Sequence, residues 1–403
     1  MTVRHSWRGR LLALAALVLA AFNLRTAVTS LTPLLASVGE SLRFGTTVAA
    51  ILGTLAPAAF AVFAVATPRI DARLGLERTT ALAMLLAGIG LLVRACVAGP
   101  VGLVAASFVA LAGMGIGNVV LPPLVKRYFS DRIGSASAMY ITSLQLGTML
   151  PAFVAVPMAE AFGWRVSLGA WALPALLAVL PLWPLLRRTK ADGRHDALHV
   201  APPADARVWR SPVAWSLGAL MGMTSLITYA MFTWIPRWMV DAGASPARGG
   251  ALLGVYSAVG LVSTFVVPVL AARMRQPFWL VAIVLVLHAI GYAGLLIAPL
   301  AFADLWAALL GLAGATFPLS LTLINLRTRS AAGSARLSGF VQSMGYLLAC
   351  AGPFVVGALR DASGGWHAPV AFLAGCIVLQ AAGGWYACRP RMLEDGWAPR
   401  GAH

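Results

Sequence analysis

The sequence predicts an all-α integral membrane protein with twelve transmembrane helices in two pseudo-symmetric six-helix halves. Three observations carry that prediction. Hydrophobic residues make up 60% of the chain and charged residues 11%, where a soluble domain carries ~25% charged residues. Twelve apolar runs, each long enough to cross a bilayer, follow one another across polar gaps. The second half also echoes the first. GMGIGNVVLPPLVKR (113–127) with GSASAMYITSLQLG (134–147) matches GLAGATFPLSLTLINLR (311–327) with GSARLSGFVQSMG (333–345), and Gly163–Trp164 matches Gly365–Trp366, at offsets of 198 to 202 residues. Parallel six-span repeats are a transporter architecture.

The runs fall at 11–38, 46–66, 79–98, 101–125, 135–158, 164–186, 212–238, 249–270, 278–298, 302–325, 335–359 and 366–388. The start has the basic and apolar regions of a signal peptide, but its apolar pattern continues to about Val38, so it reads as an uncleaved first span. The widest polar gap, 187–210, is read as a cytoplasmic linker between an N-terminal half (1–186) and a C-terminal half (211–403). With the N-terminus inside, cytoplasmic segments hold 23 of the 30 Lys and Arg residues and outer segments hold five. The positive-inside rule then places both termini in the cytoplasm of a multi-pass protein of a bacterial-type inner membrane. Spread across the gaps, the net charge of +17 is a topology signal and not a nucleic-acid footprint. Cys96, Cys350, Cys376 and Cys388 lie in or beside apolar runs without metal-ligand spacing, so neither a metal site nor a disulfide is expected.

The first run carries Arg25 about 14 residues in, or ~21 Å along a helix. That is mid-bilayer, where an arginine costs ~2.5–3.5 kcal/mol and ordinarily faces a watery substrate path. On an unbroken helix, Arg25, Thr29 and Thr32 form one stripe; Asn23, Thr26 and Ser30 form another about 160° away. The arginine's stripe is expected to face the cavity, and Asn23 to bond a neighbouring helix, although Asn23 stays a substrate-contact candidate. Arg94, near the end of the third run, is expected to snorkel and to have no role. In the fourth run, Gly113-x-Gly115-x-Gly117 signals close helix packing, and Asn118 precedes a Pro122–Pro123 break able to act as a hinge. The fifth run offers Tyr140 and Gln145, the seventh Thr224, Thr228 and Tyr229, and the eleventh the stripe Ser338, Gln342 and Tyr346. His288 is central in the ninth.

Walker A, G-x-S-x-G and H-E-x-x-H sequences are absent, and no carboxylate pair is embedded in a span, so an enzyme is not expected. All 13 acidic residues fall in gaps or at span ends. A buried cation without buried carboxylates favours an anionic or polar neutral substrate.

FNLRTAVTSLTPLL, GIGNVVLPPLVKRYF and the seventh-run pattern Thr224-Ser225-x-x-x-Tyr229 with Trp234-Ile235-Pro236 resemble the cyanate permease/nitroimidazole exporter family of the major facilitator superfamily. The resemblance implies that superfamily's fold and secondary transport of a small anion by alternating access, by a monomer without a cofactor. Its partners would be a small-molecule substrate and the bilayer. The alternative is efflux of neutral or nitro-aromatic compounds stacked on Tyr140, Tyr229, Trp234 and Tyr346. Thr224 stands where this family often shows Gln. The gap PRIDARLGLER resembles the superfamily's loop signature and makes Asp71, Gly75 and Arg78 a conformational-latch candidate. The ninth span is peripheral in this superfamily, which implies a packed, neutral His288.

Overall fold

The computed structural model describes residues 7–44, 46–191 and 207–396. Among them, twelve stretches are helical, long and apolar enough to cross a membrane, one for each apolar run. The helices are α1 (Trp7–Asn23), α2 (Thr26–Leu31), α3 (Leu35–Leu42), α4 (Thr46–Leu74), α5 (Leu76–Cys96), α6 (Pro100–Tyr128), α7 (Ile133–Phe162), α8 (Trp164–Gly169), α9 (Ala172–Leu177) and α10 (Val179–Ala191). They continue as α11 (Pro212–Asp241), α12 (Pro246–Arg273), α13 (Phe278–Ile297), α14 (Ala303–Ala313), α15 (Thr316–Leu326), α16 (Ala331–Ser363) and α17 (His367–Ala387). Residues 192–206 of the linker, together with Arg4 and Arg400, lie outside the described residues.

Two compact units form: Met1–Asp205 with Ser330–Gly339, and Ala206–Arg329 with Phe340–His403. In the first, α5 and α4 both pack on α6, while α1 and α2 lie along α7. In the second, α11 packs on α17, and α12 and α13 both pack on α14. Each unit exposes large apolar side chains, among them Val101 and Phe153 in one and Phe265 and Val378 in the other. That is how helices meet hydrocarbon, their backbone polar groups being satisfied internally.

Three departures from straight spans matter for the site. The first span is not one helix: it breaks at Leu24–Arg25 and again at the 3-10 turn Thr32–Leu34, where Pro33 lacks a donor. The second runs past its apolar residues through PRIDARL to Leu74, so the expected loop shrinks to Gly75. Gly75 takes φ +82°, donates to the Asp71 carbonyl at 2.8 Å, and accepts the Thr79 N–H at 2.9 Å to start α5. Third, α6 continues through Pro122 and Pro123, correcting the expected break there. Pro122 brings no N–H to the Asn118 carbonyl, which leaves that oxygen to other partners.

The small residues behave as the pattern predicts. A Cβ on Gly113 would overlap the backbone of α5 at Ala83 and Ala87. Polar ties at helix ends supplement this packing. Arg10 forks onto Asp131 at 3.0 and 3.2 Å. Slight burial raises that carboxyl's pKa, but Arg10 outweighs it and holds Asp131 below its ordinary value.

Candidate substrate site

The break in the first span has a local chemical cause. Asn23 folds its amide back to donate to the Leu19 carbonyl at 2.8 Å, and the Thr26 hydroxyl donates to the Asn23 carbonyl at 3.1 Å. Both side chains compete with the backbone ladder, the behaviour that bends helices at Asn and Thr. Arg25 is then the residue before α2, at φ −127° and ψ −10°. Its carbonyl accepts the N–H groups of Val28 and Thr29 and the Thr29 hydroxyl, all at 3.1 Å.

The two stripes differ in burial. Asn23, Thr26 and Ser30 are wholly buried, Arg25 and Thr29 half-buried, and Thr32 exposed. The partner expected for Asn23 is corrected: its amide bonds its own helix, because the break leaves Leu19 within reach. The Arg25 guanidinium carbon lies 5.0 Å from the ring centre of Phe60, on α4. Phe60, passed over in the sequence, is 1% exposed and forms an apolar floor for the cation.

Arg94 corrects a second expectation. It does not snorkel. It is 0% exposed and donates from Nη1 to the Ala27 carbonyl at 2.6 Å and from Nη2 to Ser30 Oγ at 3.1 Å. Those oxygens belong to α2, so the side chain finds partners inside the unit.

On α7, Tyr140 is buried and Gln145 half-buried. Ser143 donates to the Val18 carbonyl at 2.7 Å, tying α7 to α1. A Cβ on Gly147 would overlap the Phe22 carbonyl oxygen, so α7 meets α1 backbone to backbone just before the break. Asn118, 5% exposed, donates to the Met114 carbonyl at 3.0 Å within its own helix.

The latch candidates separate. Asp71 is buried beside Gly75, and its Oδ1 has no hydrogen-bond partner among the described residues. Arg78 is exposed and takes no part in that cluster. The cation there is Arg127 of α6, 3.2 Å from the Glu77 carboxylate, and Tyr128 donates to the same carboxylate at 2.7 Å. Sequence spacing hid this pairing, since Glu77 and Arg127 are 50 residues apart.

In the second unit Thr224 has a structural role in place of the expected substrate contact. Its hydroxyl donates to the Leu220 carbonyl at 2.6 Å and lies 2.8 Å from the Thr316 hydroxyl. Gln380 of α17 donates to both threonine oxygens at 2.8 Å. The three side chains are at most 2% exposed and join α11, α15 and α17. Trp234, expected to stack solute, donates to the Pro353 carbonyl at 2.8 Å and meets Trp366 edge-on at 6.1 Å. Gln342 and Tyr346 of α16 are buried, with the Tyr346 hydroxyl donating to Gln342 Oε1 at 3.3 Å, while Ser338, also buried, lies on the part of α16 that belongs to the first unit. Tyr229 is half-buried, 6.4 Å from Phe232. His288 is buried and stacked on Tyr292, as expected of a packed side chain.

Among the described residues, no group of His, Cys, Asp and Glu is placed to hold a metal. Beside Arg25 the structure places the Phe60 ring and the Thr29 hydroxyl.

The family model of the Major Facilitator Superfamily matches residues 17–353. Among relatives, the chain is 34% identical to "Uncharacterized transporter YycB" of Bacillus subtilis (strain 168), over 94% of this chain and 93% of that one. It is 32% identical to the "2-nitroimidazole transporter" of Escherichia coli (strain K12), over 96% and 98%. It is 29% identical to the "Cyanate transport protein CynX" of the same organism, over 91% and 94%. Among solved structures, the proton:xylose symporter XylE aligns with a TM-score of 0.71 over 97% of this chain and 99% of that one, at 13% identity, which speaks to the fold.

Proposed function

The chain belongs to the Major Facilitator Superfamily, and on that premise we propose that it carries a small anion by alternating access, with Arg25 as the counter-charge. It is a multi-pass transporter and not an enzyme. The observation that carries the proposal is the position of Arg25. It interrupts the first span, stands over Phe60, and is fixed by a backbone that Asn23 and Thr26 deform. A guanidinium there offers a planar fork to paired oxygens. In the same unit Thr29, Asn118, Tyr140 and Gln145 are the proposed further contacts. In the second unit Gln342, Tyr346 and Tyr229 are proposed, and Thr224 is left to its helix knot. Asp71 and Gly75 are proposed as a latch, worked through Glu77 and Arg127 and without Arg78. Both termini are proposed to be cytoplasmic, and the working unit a monomer in a bacterial inner membrane.

A nitro-aromatic substrate is the second reading, and one observation favours it. The chain is 32% identical over 96% of its length to a protein named for 2-nitroimidazole transport, and the paired oxygens of a nitro group suit the planar fork of Arg25. The relatives' names offer both chemistries.

The test is a thermal-stabilisation screen of the purified protein with cyanate, nitrate and 2-nitroimidazole. Ligand at 100 times Kd adds about 2.7 kcal/mol to the folded state. The anions should raise the melting temperature of the wild type and not that of Arg25→Ala. Stabilisation by 2-nitroimidazole alone would select the second reading.

A further inference from the structure

We propose that Arg94 is a positioning residue for Arg25: it clamps α2 from behind, so that the break at Leu24–Arg25 opens at one angle and presents the Arg25 guanidinium at one place. The inference rests on Arg25 being the substrate's counter-charge.

Four features carry it. First, α2 is six residues long, between the break at Leu24–Arg25 and the Pro33 turn. A helix that short does not hold its own geometry, so its direction comes from tertiary ties. Second, both Arg94 hydrogen bonds end on α2, at Ala27 O and Ser30 Oγ. At 100° per residue those two positions lie on the side of the segment opposite Arg25. The clamp therefore pulls on one side while the other carries the counter-charge. Third, Arg94 is 0% exposed and its hydrogen-bond partners are neutral oxygens. Burying a charge without an ionic partner is costly, and an apolar side chain of similar volume would pack α5 against α2 without that cost. What the guanidinium adds is a rigid two-pronged hold on a backbone carbonyl and a hydroxyl three residues apart. Fourth, the two oxygens are held by two different nitrogens of one planar guanidinium, a rigid fork that the single, freely rotating ammonium of a lysine does not reproduce.

The experiment uses the full-length purified chain in two measurements. Phenylglyoxal modification of Arg25, mapped by peptide mass spectrometry, reports where its guanidinium stands without reference to any substrate. Cyanate uptake into proteoliposomes gives KM and Vmax. For Arg94→Met, Arg25 should be modified about threefold faster than in the wild type, once it leaves the Phe60 face. The cyanate KM should rise roughly tenfold while Vmax stays within about threefold, as expected for a misplaced binding group. Arg94→Lys, keeping one bond, should recover part of the KM. Modification of Arg25 at the wild-type rate in Arg94→Met, or an unchanged KM, would overturn the proposal. A wild type that takes up no cyanate would count against the anion reading alone, and the modification rates would still decide the clamp. Should Arg94→Met fail to fold, Ser30→Ala removes one prong. It should raise KM about fivefold, the worth of one hydrogen bond, and an unchanged KM there would equally overturn the proposal.

Discussion

The Arg25 guanidinium carbon sits 5.0 Å from the centre of the Phe60 ring, so the first span's cation is floored by an aromatic face of the second. A half-buried contact of that kind contributes about 1 kcal/mol. Phe60→Leu keeps the apolar volume and removes the ring's quadrupole. Its cyanate KM should rise about fivefold at unchanged expression, measured as uptake into proteoliposomes. An unchanged KM would mean the ring does nothing for the cation.

The Gln380 knot gives the opposite expectation. Gln380→Leu removes two hydrogen bonds among three buried side chains, and each lost bond costs ~1 kcal/mol or more. The melting temperature should fall by several degrees while the folded fraction transports with its usual KM. A raised KM at an unchanged melting temperature would return Thr224 to the substrate path.

The close approach of α7 to the break is testable at one atom. A Cβ on Gly147 would overlap the Phe22 carbonyl oxygen, so Gly147→Ala has to push α7 away from α1. Overpacking of this sort costs ~1–3 kcal/mol. Thermal unfolding should show that loss, with a larger KM because the Arg25 segment follows Phe22 directly. A variant as stable as the wild type would contradict the backbone contact.

The gross plan was legible because hydrophobic run length acts over whole segments. The twelve spans needed no side-chain detail. Arg25 was legible because a charge in the middle of an apolar run stands out. Arg94 was misjudged because a residue near a span's end has two outlets, and sequence position does not say whether the side chain turns inward. Its partners are set by the break in the first span, and that break follows from hydrogen bonds of Asn23 and Thr26 that a hydropathy pattern does not contain. Phe60 and Arg127 were missed for a related reason. A phenylalanine in an apolar run and a basic residue at the end of one are unremarkable until the helices that face them are known, whereas Gln380 stands in its run as plainly as Gln145 and Gln342 do and was passed over. Thr224 was singled out as polar within a span, but the sequence could not show that Thr316 and Gln380 already occupy its hydroxyl.

The most direct test is counterflow. Proteoliposomes loaded with unlabelled cyanate should take up external labelled cyanate faster than empty ones, with saturation. Arg25→Ala should abolish the exchange while remaining in the membrane, and Arg25→Lys should retain little of it, since lysine keeps the charge and loses the planar fork. Normal trans-stimulated exchange by Arg25→Ala would contradict the assignment of Arg25 as the counter-charge.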